Sequence, residues 1–472
     1  MKRVYPLLSL FFFIILFCFA YFHTWEVDEA WTYVSVRNEP FTSILTYAHF
    51  NIANNHVMNS LWFKLMQLAG CRNVIFFRMA SLAAFLLYSY YLYRLVRLMA
   101  ADWKPACDWW LVLFFLPPIM VYFTLGRGYG MATAFFLASL YYMTVWLSGK
   151  KEADYWKAFA FGALSCLSIV SFLFPFLAML IYMAFSSDAK LFAKRNLITG
   201  LLLLPLVLYI YYVGKTILLH DKIINGTDNL IVNGMYSTFV GALSIYDYPF
   251  PSPQWLDRIH AVDISKFMVL LSLVPVCWIM LRKRNARYPQ LIVLLIMTLL
   301  FLAVHLLLKT KYPSDRSVIY IFYLVYIPVV LYIARYRNPF FLTHYFIVLL
   351  FSLVNFYSFF YSLFRPQLYA KLKELPVKNY TIVSDWPNYA DQVYDSLYFD
   401  SRLHFSYVAQ SFEKDWDSVD KRIKAVLQQR ATDYILLQRS TYLRDKAMFT
   451  ADQPAQRLFS SAYKEMYLIR LK

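Results

Sequence analysis

Long uninterrupted apolar runs constrain this chain more than any other feature. The first, Val4 to Phe22, follows directly on Met1-Lys2-Arg3. A bilayer core is about 30 Å thick and has no water to pair with backbone N–H and C=O groups, so a run that crosses it must form a helix of about 20 residues. Further candidate spans are Val74 to Met99, Trp109 to Thr124, Gly128 to Leu147, Trp156 to Val170, Phe172 to Phe185, Leu197 to Val213, Phe267 to Leu281, Leu291 to Leu308, Val318 to Ala334 and Phe340 to Phe364. The expected fold is an α-helical polytopic membrane protein with about 11 transmembrane helices, outer-face juxtamembrane helices and a small C-terminal α/β soluble domain. The residues around Ala20, Phe19 and Tyr21, are bulky and make a poor cleavage site. The first run therefore reads as a retained helix with its N-terminus inside.

Charge separates two uses of a basic sequence. The formal net charge is +18 in a chain that is 60% hydrophobic and 20% aromatic, with a mean hydropathy of +0.47. The basic residues fall mainly in short connections: Arg94, Arg97 and Lys104; Lys150, Lys151 and Lys157; Lys190, Lys194 and Arg195; Arg282, Lys283, Arg284 and Arg287; Arg335 and Arg337. Alternate connections being basic is the orientation signal of cytoplasmic loops, so the charge reports topology and nucleic acid is not an expected partner. The remaining connections are less basic for their length, and the long one from Gly214 to Ser265 holds Lys215, Lys222 and Arg258. This alternation leaves Arg127, Lys309, Lys311 and Arg316 as outer cations that orientation does not require.

Past Phe364 the pattern becomes that of a soluble segment. Short apolar stretches, Tyr380 to Val383, His404 to Val408, Tyr434 to Leu437 and Met466 to Ile469, alternate with polar ones such as Ser418 to Gln429. Strands alternating with helices predict an α/β domain over 366–472, placed outside by the odd number of spans, after a membrane domain over 1–365. With 11 glycines and no phosphate-cradling motif, a nucleotide site is not expected. The five cysteines form no Cys-x-x-Cys pattern, and neither a metal nor another cofactor is expected.

The candidate chemistry lies in the outer stretch 23–72. It holds Trp25-Glu26-Val27-Asp28-Glu29-Ala30-Trp31 and then Asn54-Asn55-His56-Val57-Met58-Asn59. Neighbouring residues cannot face one target on a helix, so one of Asp28 and Glu29 points into a site and the other holds the loop. Asp28 is the candidate catalytic base; the alternative is that it caps a helix starting near Ala30. His56 and Asn59 fall on one helix face and can hydrogen-bond a sugar or the Asp28 carboxylate; the alternative for His56 is a structural role at a helix start. The helix Val57 to Leu68, ended by Gly70, is expected at the interface as a wall of the site. Arg127 sits in the turn Gly126-Arg127-Gly128-Tyr129-Gly130, whose glycines let a ligand approach the backbone. Lys309-Thr310-Lys311-Tyr312-Pro313-Ser314-Asp315-Arg316 is a second short outer connection. Arginine presents a planar fork that fits phosphate oxygens, so Arg127, Lys309, Lys311 and Arg316 are candidate phosphate contacts; the alternative is pairing with headgroups or within the chain, as between Arg316 and Asp315. Glu29, Asn55, His56, Asn59 and Tyr312 are the candidate substrate-binding residues. Arg78 and His305 are left to snorkelling or packing.

These parts fit transfer of a sugar from a polyprenyl phosphate to a hydroxyl or amine. A glycosidase commonly needs two opposed carboxylates because its leaving group is poor. Phosphate is already a weak base, so one carboxylate for the acceptor proton and cations for the departing phosphate suffice. At the outer face no nucleotide sugar is available, which favours a lipid-linked donor.

An Asp-Glu pair after the first span, a polar His-containing helix start before the second, an Arg-x-Tyr turn and a late Tyr-Pro-x-x-Arg loop resemble the C-type integral membrane glycosyltransferases. The similar branch is that of protein O-mannosyltransferases and the lipid A aminoarabinose transferase, in its bacterial members, over residues 1 to 365. The resemblance implies Asp28 as the catalytic carboxylate and Arg127 and Arg316 as donor-phosphate contacts. It also implies an inverting enzyme in the cytoplasmic (inner) membrane, with a glycan, lipid or protein acceptor. The chain departs from the pattern where relatives carry a His-Pro-Pro-like segment and it has His56-Val57-Met58-Asn59. It also lacks the Trp-Trp-Asp signature of oligosaccharyltransferases, since Leu111 follows Trp109-Trp110. Competing readings are a polymerase or ligase of lipid-linked glycans, and a non-enzymatic lipid-linked-sugar transporter. Transporters usually carry internal repeats and midplane polar groups, whereas the notable charges here lie at the ends of spans.

Overall fold

The computed structural model describes residues 4–22, 25, 27–48, 55–99, 111, 114–115, 117–187, 189–219, 226–227, 288–309, 311–313, 315–336, 379–384, 404–409, 434–438, 455–460 and 465–470. The described part is mostly helical. Among the described residues five helices are long and apolar enough to cross a membrane: Val4–Phe22, Val74–Met99, Tyr129–Gly149, Arg195–Thr216 and Pro289–Leu307. Two shorter apolar helices are Val170–Phe185 and Tyr320–Tyr332. The chain is thus a multi-pass membrane protein. The expected spans at Phe267 to Leu281 and Phe340 to Phe364 lie outside the described residues.

The chain divides into two compact units. The first comprises Met1–Tyr21, Val36–Asp247 and Trp255–Tyr357; the second comprises Phe22–Ser35, Tyr248–Gln254 and Ser358–Lys472. Helices are labelled in chain order: α1 (Val4–Phe22), α2 (Val27–Arg37), α3 (Phe41–Thr46), α4 (Val57–Leu68), α5 (Val74–Met99), α6 (Pro117–Thr124), α7 (Tyr129–Gly149), α8 (Glu152–Ser168), α9 (Leu173–Phe185), α10 (Ala189–Leu219), α11 (Pro289–Leu308) and α12 (Tyr320–Tyr336).

In the first unit α7 is the central element, buried along most of its length between α5 and α8. Lipid tails are as apolar as leucine, so helices in a membrane associate through close approach and internal hydrogen bonds rather than through hydrophobic burial. Both devices are present. A Cβ on Gly130 would come within 2.6 Å of the Tyr122 carbonyl oxygen, and one on Gly162 within 2.2 Å of the Phe176 ring. Ser139 Oγ donates to the Ala158 carbonyl at 2.6 Å and Ser165 Oγ to the Ala132 carbonyl at 2.8 Å, tying α7 to α8 twice. Elsewhere Tyr5 donates to the Ser89 carbonyl at 2.7 Å and Tyr88 to the Phe114 carbonyl at 2.6 Å. The rings of Phe174 and Phe301 stack at 4.1 Å between α9 and α11. By contrast α1 keeps Leu7, Leu10, Phe11 and Ile14 exposed, as a lipid-facing helix does.

Helix bounds differ from the expected ones where polar residues continue an apolar run. The run expected from Leu197 to Val213 lies within α10, which spans Ala189–Leu219. The run expected from Trp156 begins at Glu152, because Glu152 and Asp154 suit the positive end of a helix dipole. Arg78, within α5, is fully buried and its Nη1 donates to the Ala20 carbonyl at 2.9 Å. It therefore serves one of the carbonyls that the last turn of α1 leaves without an intrahelical partner.

Strands β1 (Gly226–Thr227) and β2 (Tyr312–Pro313) form a short pair in the first unit. In the second unit five strands, β3 (Asn379–Ser384), β4 (His404–Ala409), β5 (Tyr434–Gln438), β6 (Ala455–Ser460) and β7 (Glu465–Arg470), form one sheet in the order β4-β3-β5-β7-β6. β3 pairs in parallel with β4 and β5, while β5 with β7 and β6 with β7 are antiparallel. Parallel neighbours require crossover connections of a dozen or more residues, which the long segments between these strands supply. The sequence reading found four of the strands and omitted β6, whose Gln456 and Arg457 dilute its apolar pattern. The expected helical stretch Ser418 to Gln429 lies outside the described residues.

Candidate functional site

The acidic pair lies in the second unit. Helix α2 begins at Val27, so Asp28 and Glu29 occupy its first turn, and Asp28 is not the cap of a helix starting near Ala30. Carboxylates are favoured in a first turn because the exposed N–H groups there carry partial positive charge. Successive residues point about 100° apart, and the pair separates accordingly. Glu29 is completely buried, whereas Asp28 is half-buried. The Asp28 carbonyl accepts a 2.9 Å bond from Thr32 Oγ1, and the buried Trp25 packs against Tyr33 with ring centroids 5.2 Å apart.

The second cluster lies in the first unit. His56 immediately precedes α4 with extended backbone, and its carbonyl accepts the first helical bond from the Ser60 amide at 2.8 Å. Its ring does not cap the helix; it meets the Tyr129 ring edge-on at 5.0 Å. Asn59, one turn on, is buried and its Nδ2 donates to the Gly126 carbonyl at 2.7 Å. The face shared by His56 and Asn59 is thus turned to the Gly126–Gly130 turn. Asn55 is buried one residue before His56, with Nδ2 on the Ile44 carbonyl at 3.0 Å. Its carbonyl accepts the Tyr47 hydroxyl. Burial pushes the Tyr47 phenol above its ordinary range, so it stays protonated and keeps that donor role. Lys64 donates to the Arg37 carbonyl at 2.9 Å, fixing the last turn of α2 to α4.

Arg127 is buried in its turn, with the guanidinium 5.6 Å from the Tyr129 ring centroid. Gly128 has φ +68°, a left-handed conformation open to glycine. A Cβ there would also come within 2.9 Å of His56 Cβ and 3.2 Å of the Ser168 carbonyl oxygen. The turn is therefore packed from two sides, by the start of α4 and the end of α8. After Ser168 the chain makes a short 3-10 turn, Val170–Phe172, and Ser171 Oγ donates to the Ser317 carbonyl at 2.7 Å. Ser317 follows Arg316 in a second 3-10 turn, Asp315–Val318.

Lys309 ends α11 in a left-handed conformation, and both it and Lys311 are exposed. Tyr312 is buried and stacks on His305 with ring centroids 4.4 Å apart, which gives His305 a packing role. Tyr312–Pro313 pairs antiparallel with Gly226–Thr227, so part of the long connection after α10 is fastened to this loop. Among the described residues no three His, Cys, Asp or Glu side chains are grouped to hold a metal ion.

The first unit thus joins in one series His56, Asn59, the Arg127 turn, the Ser168–Ser171 segment and the Asp315–Val318 turn. Asp28 and Glu29 belong to the second unit. Nothing in the sequence marks Ser171, Tyr47 or Ser168, because a lone serine or tyrosine beside an apolar run carries no pattern. Asn59, expected to bind substrate, has its Nδ2 on the Gly126 carbonyl. No protein-family model matches the chain, and no curated protein matches it.

Proposed function

We propose that the chain is a polyprenyl-phosphate-sugar-dependent glycosyltransferase that moves a monosaccharide to a hydroxyl or amine acceptor at the outer face of the cytoplasmic membrane. The observation that carries this reading is the buried Arg127 on a glycine-flanked turn, held by Asn59 from α4 and linked through Ser168–Ser171 to the turn that contains Arg316. A guanidinium presents a planar fork that matches phosphate oxygens, which supports a donor phosphate beside this turn.

In the proposed reaction the acceptor oxygen or nitrogen attacks the anomeric carbon. Asp28 takes the acceptor proton, the bond from that carbon to the phosphate oxygen breaks, and the electron pair leaves with polyprenyl phosphate. Attack opposite the leaving group inverts the anomeric centre. Arg127 and Arg316, with Lys309 and Lys311, stabilise the charge gathering on the phosphate. Half-buried Asp28 suits proton transfer to a substrate, and fully buried Glu29 suits holding the segment. The C-terminal sheet is proposed to lie outside and position the acceptor, and the similarity to the protein O-mannosyltransferase and aminoarabinose transferase branch belongs to the same proposal.

The test is transfer of radiolabelled sugar from a polyprenyl-phosphate donor pool in membranes with and without the chain. Transfer that requires the chain supports the enzyme. Movement of the intact labelled lipid between leaflets without formation of a new glycoside would replace it with a transporter.

A further inference from the structure

Helix α7 runs between two polar clusters. Its first residue, Tyr129, belongs to the Arg127 turn, and its 21 residues carry the chain about 30 Å, a bilayer's thickness, to a second cluster at Lys150. That cluster joins the end of α7, the start of α8, the end of α9 and the first turns of α10. None of the chemistry above uses it.

Its centre is Arg195, buried on α10. The guanidinium lies 5.0 Å from the Trp146 ring centroid and 4.6 Å from that of Tyr155. Nη2 donates to Ser187 Oγ, and Nη1 is 3.6 Å from Glu152 Oε1, a longer separation than a direct charge-assisted bond. Lys150 Nζ lies 4.1 Å from the same Trp146 ring and donates to the Ser186 carbonyl at 2.6 Å. Two cations therefore share one indole, and the Glu152 carboxylate near Arg195 is nearly half exposed. Arg195 Nε and Trp146 Nε1 are buried N–H donors with no hydrogen-bond partner among the described residues. Such donors are unfavourable unless an acceptor reaches them.

The surroundings indicate what kind of acceptor fits. Lys150 is exposed, so the cluster opens to water at one end of the helices. The same helices carry outward-facing apolar side chains, with Phe185 84% exposed, Leu197 64% and Leu201 62%. A charged head with several acceptor oxygens and an attached hydrocarbon chain satisfies both features. We propose that the Trp146–Arg195 cluster binds the phosphate group of an anionic phospholipid, with the acyl chains along α10. The proposal does not depend on the glycosyltransferase reading, because its test measures no sugar transfer.

The experiment uses the purified full-length protein in a neutral maltoside detergent, with radiolabelled phosphatidylglycerol as probe and phosphatidylcholine or inorganic phosphate as competitor. Phosphatidylglycerol retained against excess phosphatidylcholine, and about tenfold less by Trp146→Phe or Arg195→Lys, is the expected result. Trp146→Phe keeps an aromatic ring and removes the indole N–H, and Arg195→Lys keeps the charge and removes Nε–H with the planar fork. Should either variant fold poorly, Lys150→Gln at the exposed rim carries the same expectation of weaker retention. Displacement by millimolar phosphate would identify the phosphate group alone as sufficient. Resistance to it would identify the complete lipid. Equal retention by the folded variants and the wild type, or equal displacement by both phospholipids, would overturn the proposal.

Discussion

The Asn59 side chain donates a 2.7 Å hydrogen bond to the Gly126 carbonyl, joining α4 to the Arg127 turn across 67 residues of sequence. Asn59 is buried, and its Oδ1 has no partner among the described residues. Removing the amide deletes this hydrogen bond, which costs about 0.5–1.5 kcal/mol. Asn59→Ala is expected to lower thermal stability in detergent by a corresponding amount and to weaken donor use more than acceptor use. Asn59→Asp cannot donate when ionised and should be at least as damaging. Unchanged stability and unchanged donor KM in both variants would remove Asn59 as the holder of the turn.

Gly128 and Gly70 separate two effects of a side chain. Both have positive φ, +68° and +72°, so alanine is strained at either by about 1–2 kcal/mol. At Gly70 an added Cβ meets nothing within 4 Å, whereas at Gly128 it lies 2.9 Å from His56 Cβ. Gly70→Ala should therefore fold with a modest loss of stability. Gly128→Ala should lose more and should also impair transfer, because relief of the clash moves His56 or the Arg127 turn. Equal melting temperatures and full activity in both would show that the turn is not closely packed.

Much of the membrane part was legible because lipid imposes a long-range apolar pattern. Val4–Phe22 and Val74–Met99 have the same bounds in sequence and structure. The end of α4 was legible too, since the positive φ of Gly70 is a local signal. What joins the pieces was not. Asn59 with Gly126, Ser171 with Ser317, and Arg78 with Ala20 are single contacts between distant residues, and no periodicity announces them. The Trp146–Arg195 cluster was hidden for another reason. Lys150 and Arg195 lie in basic connections that membrane orientation alone accounts for, so their charge carries no separate signal of a site.

Arg127 provides a test of phosphate recognition by shape as well as charge. Lysine keeps the charge but loses the planar fork, so Arg127→Lys is expected to raise donor KM by roughly tenfold and Arg127→Ala by more. The acceptor KM should change less. A larger effect on acceptor than on donor would place Arg127 on the other substrate.

The proposed orientation can be read from one thiol. Among the described cysteines, Cys71 follows α4 and is partly exposed, Cys18 lies on the apolar helix α1, and Cys166 is buried; Cys107 and Cys277 are expected at an inner connection and within a span. A membrane-impermeant maleimide should label intact cells at Cys71, and Cys71→Ser should abolish that labelling. Labelling of Cys71 only after the membrane is opened would put α4 on the cytoplasmic side and remove the basis for a lipid-linked donor.

The most direct measurement of the central claim is transfer of labelled sugar from a polyprenyl-phosphate donor pool by membranes carrying equal amounts of folded wild type or Asp28→Asn. Carboxylate and amide have nearly the same size, but the amide does not accept a proton at neutral pH. The account predicts transfer by the wild type and a loss of at least about a hundredfold in the variant, the contribution expected of a positioned general base. Equal transfer by both proteins would contradict it and remove Asp28 as the base.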